Sequence, residues 1–271
     1  MSGGLKSALQ GHLIPDWPAP SGVRAVCTTR VGGVSDAPYD SLNLGDHVGD
    51  EPAHVAANRA TLQAALGVRP VFLNQVHSTE VTFLDAHTAD GTVADACLTD
   101  QLGVACTVMV ADCLPVLFTT RQGQAVAAAH AGWRGLAGQG DAGILEKTYE
   151  RFSALVHINK AQSATEIIAW LGPCIGPGAF EVGDDVRAAF VQDRTPDSAQ
   201  AAACFRPLPS GKWLADLAGL ARLRLRRMGI TQLFGNDSSA PWCTVSNPSQ
   251  FFSHRRDRVS GRFCASIWRE I

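Results

Sequence analysis

The chain has 271 residues, of which 46% are hydrophobic and 18% are charged, a composition typical of a folded globular protein. This balance excludes a disordered chain, and the formal net charge of −2 excludes a general basic surface for nucleic acid or an anionic membrane. No apolar signal segment follows the N-terminus, and no apolar run approaches the roughly 18 residues that span a bilayer. We therefore expect a cytoplasmic protein with no membrane or nucleic-acid partner.

Strand-like and helix-like patterns alternate along the chain after an irregular lead-in at residues 1–20. Short β-branched and apolar runs predict strands at residues 23–29, 71–73, 81–84, 104–110, 115–119, 125–129, 167–171, 233–234 and 263–268. Helical patterns predict helices at residues 51–66, 136–152, 184–191 and 214–228, and the polar residues 193–203 predict a surface insertion. Because strands and helices are interleaved without a linker, we predict an α+β fold, a single mixed α/β domain over residues 1–271.

A long loop at residues 30–50 interrupts this pattern. It is rich in Gly, Asp, Ser and Asn, and at about 20 residues it is longer than most loops of compact domains. Loops of this length often carry function, so we expect this one to contribute to a binding site.

Three apolar runs each lead to a side chain that can bind a metal ion. These side chains are His77, Cys113 and His130. Side chains at strand ends can converge on one cleft, and two imidazoles with one thiolate suit Zn²⁺. Three protein ligands would leave a fourth position open, as in catalytic zinc sites. The spacing alone also allows a Cys113–His hydrolase, or three buried side chains without a chemical role.

The segments around these residues resemble the laccase-domain family, the purine nucleoside phosphorylases formerly described as multicopper polyphenol oxidases. The three segments that carry the resemblance are NQVH at 74–77, ADCLP at 111–115 and AHAGWRG at 129–135. Further blocks occur in the family's order at 28–35 (TTRVGGVS), 41–45 (SLNLG), 172–177 (GPCIGP), 180–182 (FEV), 252–257 (FSHRRD) and 260–262 (SGR). The resemblance extends over about residues 23–269, which is nearly the whole chain.

The resemblance implies a zinc site on His77, Cys113 and His130. It also implies a single mixed α/β domain resembling a bacterial cysteine-hydrolase toxin. The implied activities are phosphorolysis of adenosine, inosine, guanosine and methylthioadenosine, together with adenosine deamination. Copper-dependent oxidation of phenols and editing of peptidoglycan precursors have also been linked to the family. The chain differs at Gly178 and Ala179, where relatives often carry two cysteines, so no cysteine pair acts there.

Phosphorolysis requires a clamp for phosphate, and arginine bonds two phosphate oxygens at once. We predict Arg30, in the long loop, as the first candidate, followed by Arg134, Arg255 and Arg256. Each of them has an alternative role in a surface or structural ion pair. Asp112 is predicted to orient a ligand or accept a proton, or else to form a turn.

Other polar residues are candidates for contacts with the nucleoside. Asn43 and Gln75 could bond ribose or base, although such side chains in loops more often satisfy backbone groups. Ser253 and His254 are predicted to line the pocket, with a structural role as the alternative.

These observations together predict a zinc-dependent purine nucleoside phosphorylase with adenosine deaminase activity, whose partners are a purine nucleoside and phosphate. Copper laccase chemistry is a weaker prediction, because it needs many histidines in H-x-H pairs and the eight histidines form none. A metal-free Cys113–His hydrolase and a non-catalytic metal-binding or partner-binding module are the remaining alternatives.

Overall fold

Three β-sheets form the frame of the protein within residues 11–139, 142–157, 166–191 and 198–270, which the computed structural model describes. The strands are β1 (Val23–Cys27), β2 (Arg69–Phe72), β3 (Val81–Phe83), β4 (Ala96–Thr99), β5 (Val104–Val110), β6 (Leu114–Thr120), β7 (Val126–Ala131), β8 (Ile167–Leu171), β9 (Glu181–Val182), β10 (Phe205–Pro207), β11 (Trp213–Ala215), β12 (Gln232–Gly235) and β13 (Phe263–Arg269). Their order is β1-β13-β5-β2 in one sheet, β12-β8-β6-β7-β4-β3 in a second and β10-β11-β9 in a third.

The helices flank the two larger sheets or lie in the connections between strands. They are α1 (Pro52–Leu66), α2 (Trp133–Ala137), α3 (Ile144–Leu155), α4 (Asp184–Phe190), α5 (Ser198–Ala203), α6 (Leu217–Arg227) and α7 (His254–Asp257), with a 3₁₀ turn at Ala240–Trp242. None of the helices in the described ranges is long and apolar enough to cross a membrane.

The hydrophobic core lies in three layers around the sheets. Leu62 and Leu66 of α1 pack with Phe72 and Trp268 on the outer face of the four-stranded sheet. The inner faces of the two larger sheets pack on each other, and α3 and α6 cover the far side of the six-stranded sheet. Because both faces of β5 and β6 are covered, every residue of these strands is buried, which explains their unbroken apolar sequences.

The predicted α+β class is confirmed, since the described chain combines helices with three β-sheets. The cysteine-hydrolase toxin likeness and the single domain over residues 1–271 stay predictions. The helix predicted at 136–152 is wrong in its bounds, because α2 and α3 are separate and Gly138, at φ +67°, ends α2. The helix predicted at 214–228 begins only at Leu217, after the strand β11. Of the insertion predicted at 193–203, residues 193–197 lie outside the described residues.

Candidate metal centre

Strand pairing brings His130 next to Cys113. The chain leaves β5 at Val110, turns, and enters β6 of the other sheet at Leu114, so Cys113 lies where the chain passes between sheets. Antiparallel pairing of β6 with β7 sets Pro115 opposite His130. Parallel pairing of β2 with β5 ends at Phe72, opposite Thr107, and hydrogen bonds from the Gln75 side chain to the backbone of Met109 keep the following segment, with His77, at the same end of β5.

The three side chains converge closely enough to hold one ion. One ligand atom from each of His77, Cys113 and His130 lies within 4.8 Å of the others. The Sγ of Cys113 is 3.6 Å from Nε2 of His77, and the two imidazole rings meet edge to face with their centroids 4.8 Å apart. His130 is buried, Cys113 is half-buried and His77 is exposed, so a ligand can approach from the His77 side. These residues could bind a metal ion.

Asp95 connects two of these residues and is fully buried. Its Oδ1 accepts a hydrogen bond from Nδ1 of His130 at 2.8 Å and from the backbone N–H of His77 at 3.0 Å. Its Oδ2 accepts from the backbone N–H of Ser78 at 2.6 Å and from the Ser78 hydroxyl at 2.8 Å. One carboxylate therefore fixes the orientation of His130 and the path of the His77 loop.

The backbone around the cluster is adapted to close approach. His77 lies at φ +60°, in the left-handed region that side chains rarely adopt, and the hydrogen bonds to Asp95 hold it there. Gly132 leaves room for the cluster, since a Cβ there would be 2.7 Å from Cδ2 of His77 and 2.9 Å from Sγ of Cys113. A larger residue here would therefore force His77 and Cys113 to shift.

The buried charges stabilise a thiolate beside an imidazolium. Burial alone would raise the pKa of Cys113, but the charge of His130 and hydrogen bonds from His130 and His77 outweigh it and lower the pKa to about 6. Burial alone would lower the pKa of His130, but the Cys113 charge and the Asp95 hydrogen bond outweigh it and raise the pKa to about 9. A thiolate is the form of cysteine that binds metals or attacks electrophiles.

The cluster opens into a cavity of about 430 Å³, a size that suits a small-molecule ligand. Its apolar wall includes Met109, Ile175, Leu217 and the aromatic rings of Trp133 and Phe180. Its polar wall, apart from the cluster, includes Asp112, Gln75, His47, His254, Arg255 and Arg262. Two aromatic residues and two arginines thus line the space in front of the cluster.

The structure brings four other predicted residues, Asp112, Gln75, His254 and Arg255, to this cavity. Both oxygens of Asp112 are engaged, since Oδ1 accepts from the hydroxyl of Thr244 at 2.6 Å and Oδ2 from the backbone N–H of Arg255 at 2.7 Å. The amide of Gln75 bonds the backbone of Met109 at both ends, over 2.8 and 2.7 Å. Both residues hold the walls of the cavity in place.

The other predicted residues are not among those that line the cavity. Arg30 donates to backbone oxygens of Asp40 and Pro248, at 2.9 and 3.0 Å. Asn43 is fully buried and bonds Gly45. Ser253 caps α7, and Arg134 is exposed, with its guanidinium 4.5 Å from the ring of Trp133. Arg256 donates to the backbone oxygens of Thr244 and Phe251.

Sequence reasoning missed Asp95, His47 and Arg262. Asp95 precedes the apolar run of β4, and an acidic residue at the start of a buried strand is a signal that could have been used. Arg262 lies in the block SGR at 260–262, although nothing local to it indicates a cavity. His47 lies in the long loop, which was expected to contribute to a binding site.

Comparisons with known proteins agree on one family. Residues 24–270 match the family described as multi-copper polyphenol oxidoreductase laccase. The chain is 48% identical over 259 residues to purine nucleoside phosphorylase YfiH of Escherichia coli, with 94% of the chain and 98% of the relative covered. It is also 48% identical to a purine nucleoside phosphorylase of Pseudomonas aeruginosa, with 96% of the chain and 99% of the relative covered.

Solved structures give the same result. A crystal structure of a Neisseria meningitidis protein is 44% identical, has a TM-score of 0.85, and covers 97% of this chain and 100% of its own. The crystal structure of YlmD from Geobacillus stearothermophilus is 30% identical, with a TM-score of 0.79 and 93% of each chain covered. The chain therefore belongs to the laccase-domain family of multi-copper polyphenol oxidoreductase-like proteins.

Proposed function

We propose that the chain is a cytoplasmic, zinc-dependent purine nucleoside phosphorylase that also deaminates adenosine, and that residues 1–271 form one catalytic domain. The observation that carries the proposal is the convergence of His77, Cys113 and His130 on a nucleoside-sized cavity, in a chain whose relatives are named purine nucleoside phosphorylases. The substrates are purine nucleosides, among them adenosine, inosine, guanosine and methylthioadenosine, together with phosphate.

The donor set fits zinc. Tetrahedral zinc binds sulfur at about 2.3 Å and imidazole nitrogen at about 2.0–2.1 Å, which separates the two donors by about 3.5 Å. The observed distance from Sγ of Cys113 to Nε2 of His77 is 3.6 Å. Bound zinc would supply a Lewis acid and an activated water at neutral pH.

Phosphorolysis forms a bond from a phosphate oxygen to C1′ of the ribose while the C1′–N9 bond breaks. The purine leaves with the electron pair and takes up a proton, giving the free base and ribose 1-phosphate. The rings of Trp133 and Phe180 can pack on the flat base, and Asp95 holds His130 and His77 in place. Deamination instead adds water at C6 of adenosine and breaks the C6–N6 bond, releasing ammonia and inosine.

The experiment combines metal analysis with product analysis. We expect about one zinc per chain, and adenine plus ribose 1-phosphate from adenosine only when phosphate is present. Inosine formed without phosphate would establish the deaminase. Cys113→Ala should lose metal and both activities while remaining folded, and an active, metal-free Cys113→Ala protein would overturn the proposal.

A Cys113–His130 hydrolase acting on peptidoglycan precursors is a second candidate, because the lowered pKa of Cys113 is the property of a nucleophilic thiol. Copper oxidation of phenols has less support. Multi-copper chemistry needs further copper sites, and in the described part of the chain the trio is the one cluster of His, Cys, Asp or Glu placed to share an ion. Turnover of a precursor by metal-free protein would favour the hydrolase.

A further inference from the structure

Arg262 offers hydrogen-bond donors to the cavity that no protein group uses. Its Nη1 donates to the backbone oxygens of Ser260 and Gly261, at 2.9 and 3.1 Å. Its Nε and Nη2 have no hydrogen-bond partner among the described residues, and no described carboxylate forms an ion pair with it within 4.0 Å. A half-buried guanidinium with one free edge in a cavity is a site for an anion.

The long loop holds Arg262 in this position. The Oδ1 of the buried Asn43 accepts from the backbone N–H of Arg262 at 2.8 Å, and the backbone N–H of Leu44 donates to the carbonyl of Arg262 at 3.0 Å. Gly45 lies against the stem of the side chain, where a Cβ would be only 2.7 Å from Cγ of Arg262. The loop at 30–50 therefore builds the wall of the cavity from which the guanidinium projects.

Two of the other candidate arginines, Arg30 and Arg256, use all three of their side-chain nitrogens within the protein. Arg30 and Arg256 bond backbone oxygens, as described above, and neither lines the cavity. Arg255 lines it, but its Nη1 donates to the carbonyl of Glu181 at 2.9 Å, and its charge lowers the pKa of the Glu181 carboxylate after the larger effect of Lys212. The Nε and Nη2 of Arg255 also have no partner among the described residues, but the nearby carboxylate of Glu181 would repel an anion there.

The charge of Arg262 acts directly on the groups of the cavity. Burial lowers the pKa of Arg262, and the negative charges of Cys113 and Asp112 oppose that effect. Burial and then the positive charge of Arg262 lower the pKa of His47, on the same wall. The guanidinium is thus partly desolvated, and an incoming dianion would restore the hydrogen bonds that its free edge lacks.

We propose that Arg262 is the phosphate-binding residue of the cavity and that its Nε–Nη2 edge bonds two oxygens of the phosphate used in phosphorolysis. The inference rests on the proposed function for the identity of the anion. It assigns to Arg262 the role that sequence reasoning gave first to Arg30, and it explains why a long, glycine-containing loop packs against residue 262.

Binding and turnover together test the proposal. Inorganic phosphate is titrated calorimetrically into zinc-loaded protein, and the phosphate KM is measured with adenosine at saturation. Arg262→Gln should raise the phosphate Kd and KM by about tenfold to a hundredfold, with unchanged zinc content and adenosine KM. Arg262→Lys should give intermediate phosphate Kd and KM values, because lysine keeps the positive charge but cannot donate two parallel hydrogen bonds from a planar guanidinium. Gly45→Ala should also weaken phosphate binding, by displacing the stem of Arg262.

Arg24→Gln is the matched control. Arg24 lies on β1, forms an ion pair with Glu270, and is not among the cavity residues. It should leave the phosphate Kd unchanged. An Arg262→Gln protein that melts like the wild type and binds phosphate equally well would overturn the proposal, as would wild-type protein that binds no phosphate. Phosphate binding that depends on Arg262, without turnover of any nucleoside, would support the anion site and contradict the proposed phosphorylase.

Discussion

Oδ1 of Asp95 and Nδ1 of His130 are 2.8 Å apart in a fully buried hydrogen bond. Because the Asp95 carboxylate accepts this hydrogen bond, Nδ1 of His130 carries the proton, and Nε2 is the ring nitrogen that faces the cluster. Burial alone would raise the pKa of Asp95, but His130 and Ser78 lower it, so the carboxylate stays ionised at neutral pH. A carboxylate behind a histidine is the usual support of a metal ligand.

Asp95→Asn should weaken zinc binding about tenfold to a hundredfold, because the amide lacks the charge that orients His130 and supports the His77 loop. Competition with a chromogenic chelator measures the affinity. Asp85→Asn is the control, since Asp85 accepts hydrogen bonds only in a surface turn with His87 and Thr88. Equal zinc affinity in both variants would show that Asp95 has a structural role alone.

Gly132→Ala should remove the metal site while leaving the fold. The new methyl group would come within 3.0 Å of both His77 and Cys113, so the two ligands must separate. Zinc content per chain and the melting temperature measure the two effects. The matched control is Gly178→Ala, where a Cβ meets nothing within 4 Å, and this variant should keep its zinc. A Gly132→Ala protein with full zinc occupancy would contradict this prediction and show that the cluster adjusts around the methyl group.

The three candidate ligands could be identified from sequence, because short apolar runs end near these metal-binding side chains. The strands β5, β6 and β7 are buried on both faces, so their runs stand out without knowledge of pairing. Whether these residues meet depends on strand register, which the sequence alone does not give. The family resemblance supplied that step.

The choice among the arginines could not be made from sequence. Arg30 donates to the carbonyl of Pro248, which is 218 positions away in the chain. The carbonyl of Arg262 accepts a hydrogen bond from the backbone N–H of Leu44, which is equally distant in the sequence. Such long-range contacts leave no local pattern.

The break between α2 and α3, in contrast, has a local signal in the sequence. Gly138, at φ +67°, ends α2, and Gly143 is the N-cap of α3.

Asp112 should matter for stability more than for chemistry. It lies at φ +91° and accepts hydrogen bonds from Thr244 and from the backbone of Arg255, so Asp112→Ala leaves two buried donors unpaired. We expect a loss of about 2–4 kcal/mol in the free energy of unfolding, measured by urea denaturation. Asp112→Gly removes the same bonds without the steric cost of a Cβ at positive φ, so it should be less destabilising by about 1 kcal/mol. An Ala variant as stable as the wild type would contradict both contacts.

Alkylation of the metal-free protein should follow the lowered pKa of Cys113. Since that pKa is about 6, Cys113 is a thiolate at pH 7, and its reaction with iodoacetamide should slow only as the pH falls below about 6. Cys204 is the internal control, because burial and then the charge of Asp216 raise its pKa to about 11 and keep it protonated at pH 7. Peptide mass spectrometry gives both rates from one sample.

Zinc then distinguishes the two candidate functions at the same cysteine. A metal-bound thiolate is shielded, so stoichiometric zinc should suppress labelling of Cys113 and leave the slow rate of Cys204 unchanged. If Cys113 reacts equally fast with and without zinc, it is not a ligand, and its thiolate is available as a nucleophile. That result would favour the Cys113–His130 hydrolase over the zinc enzyme.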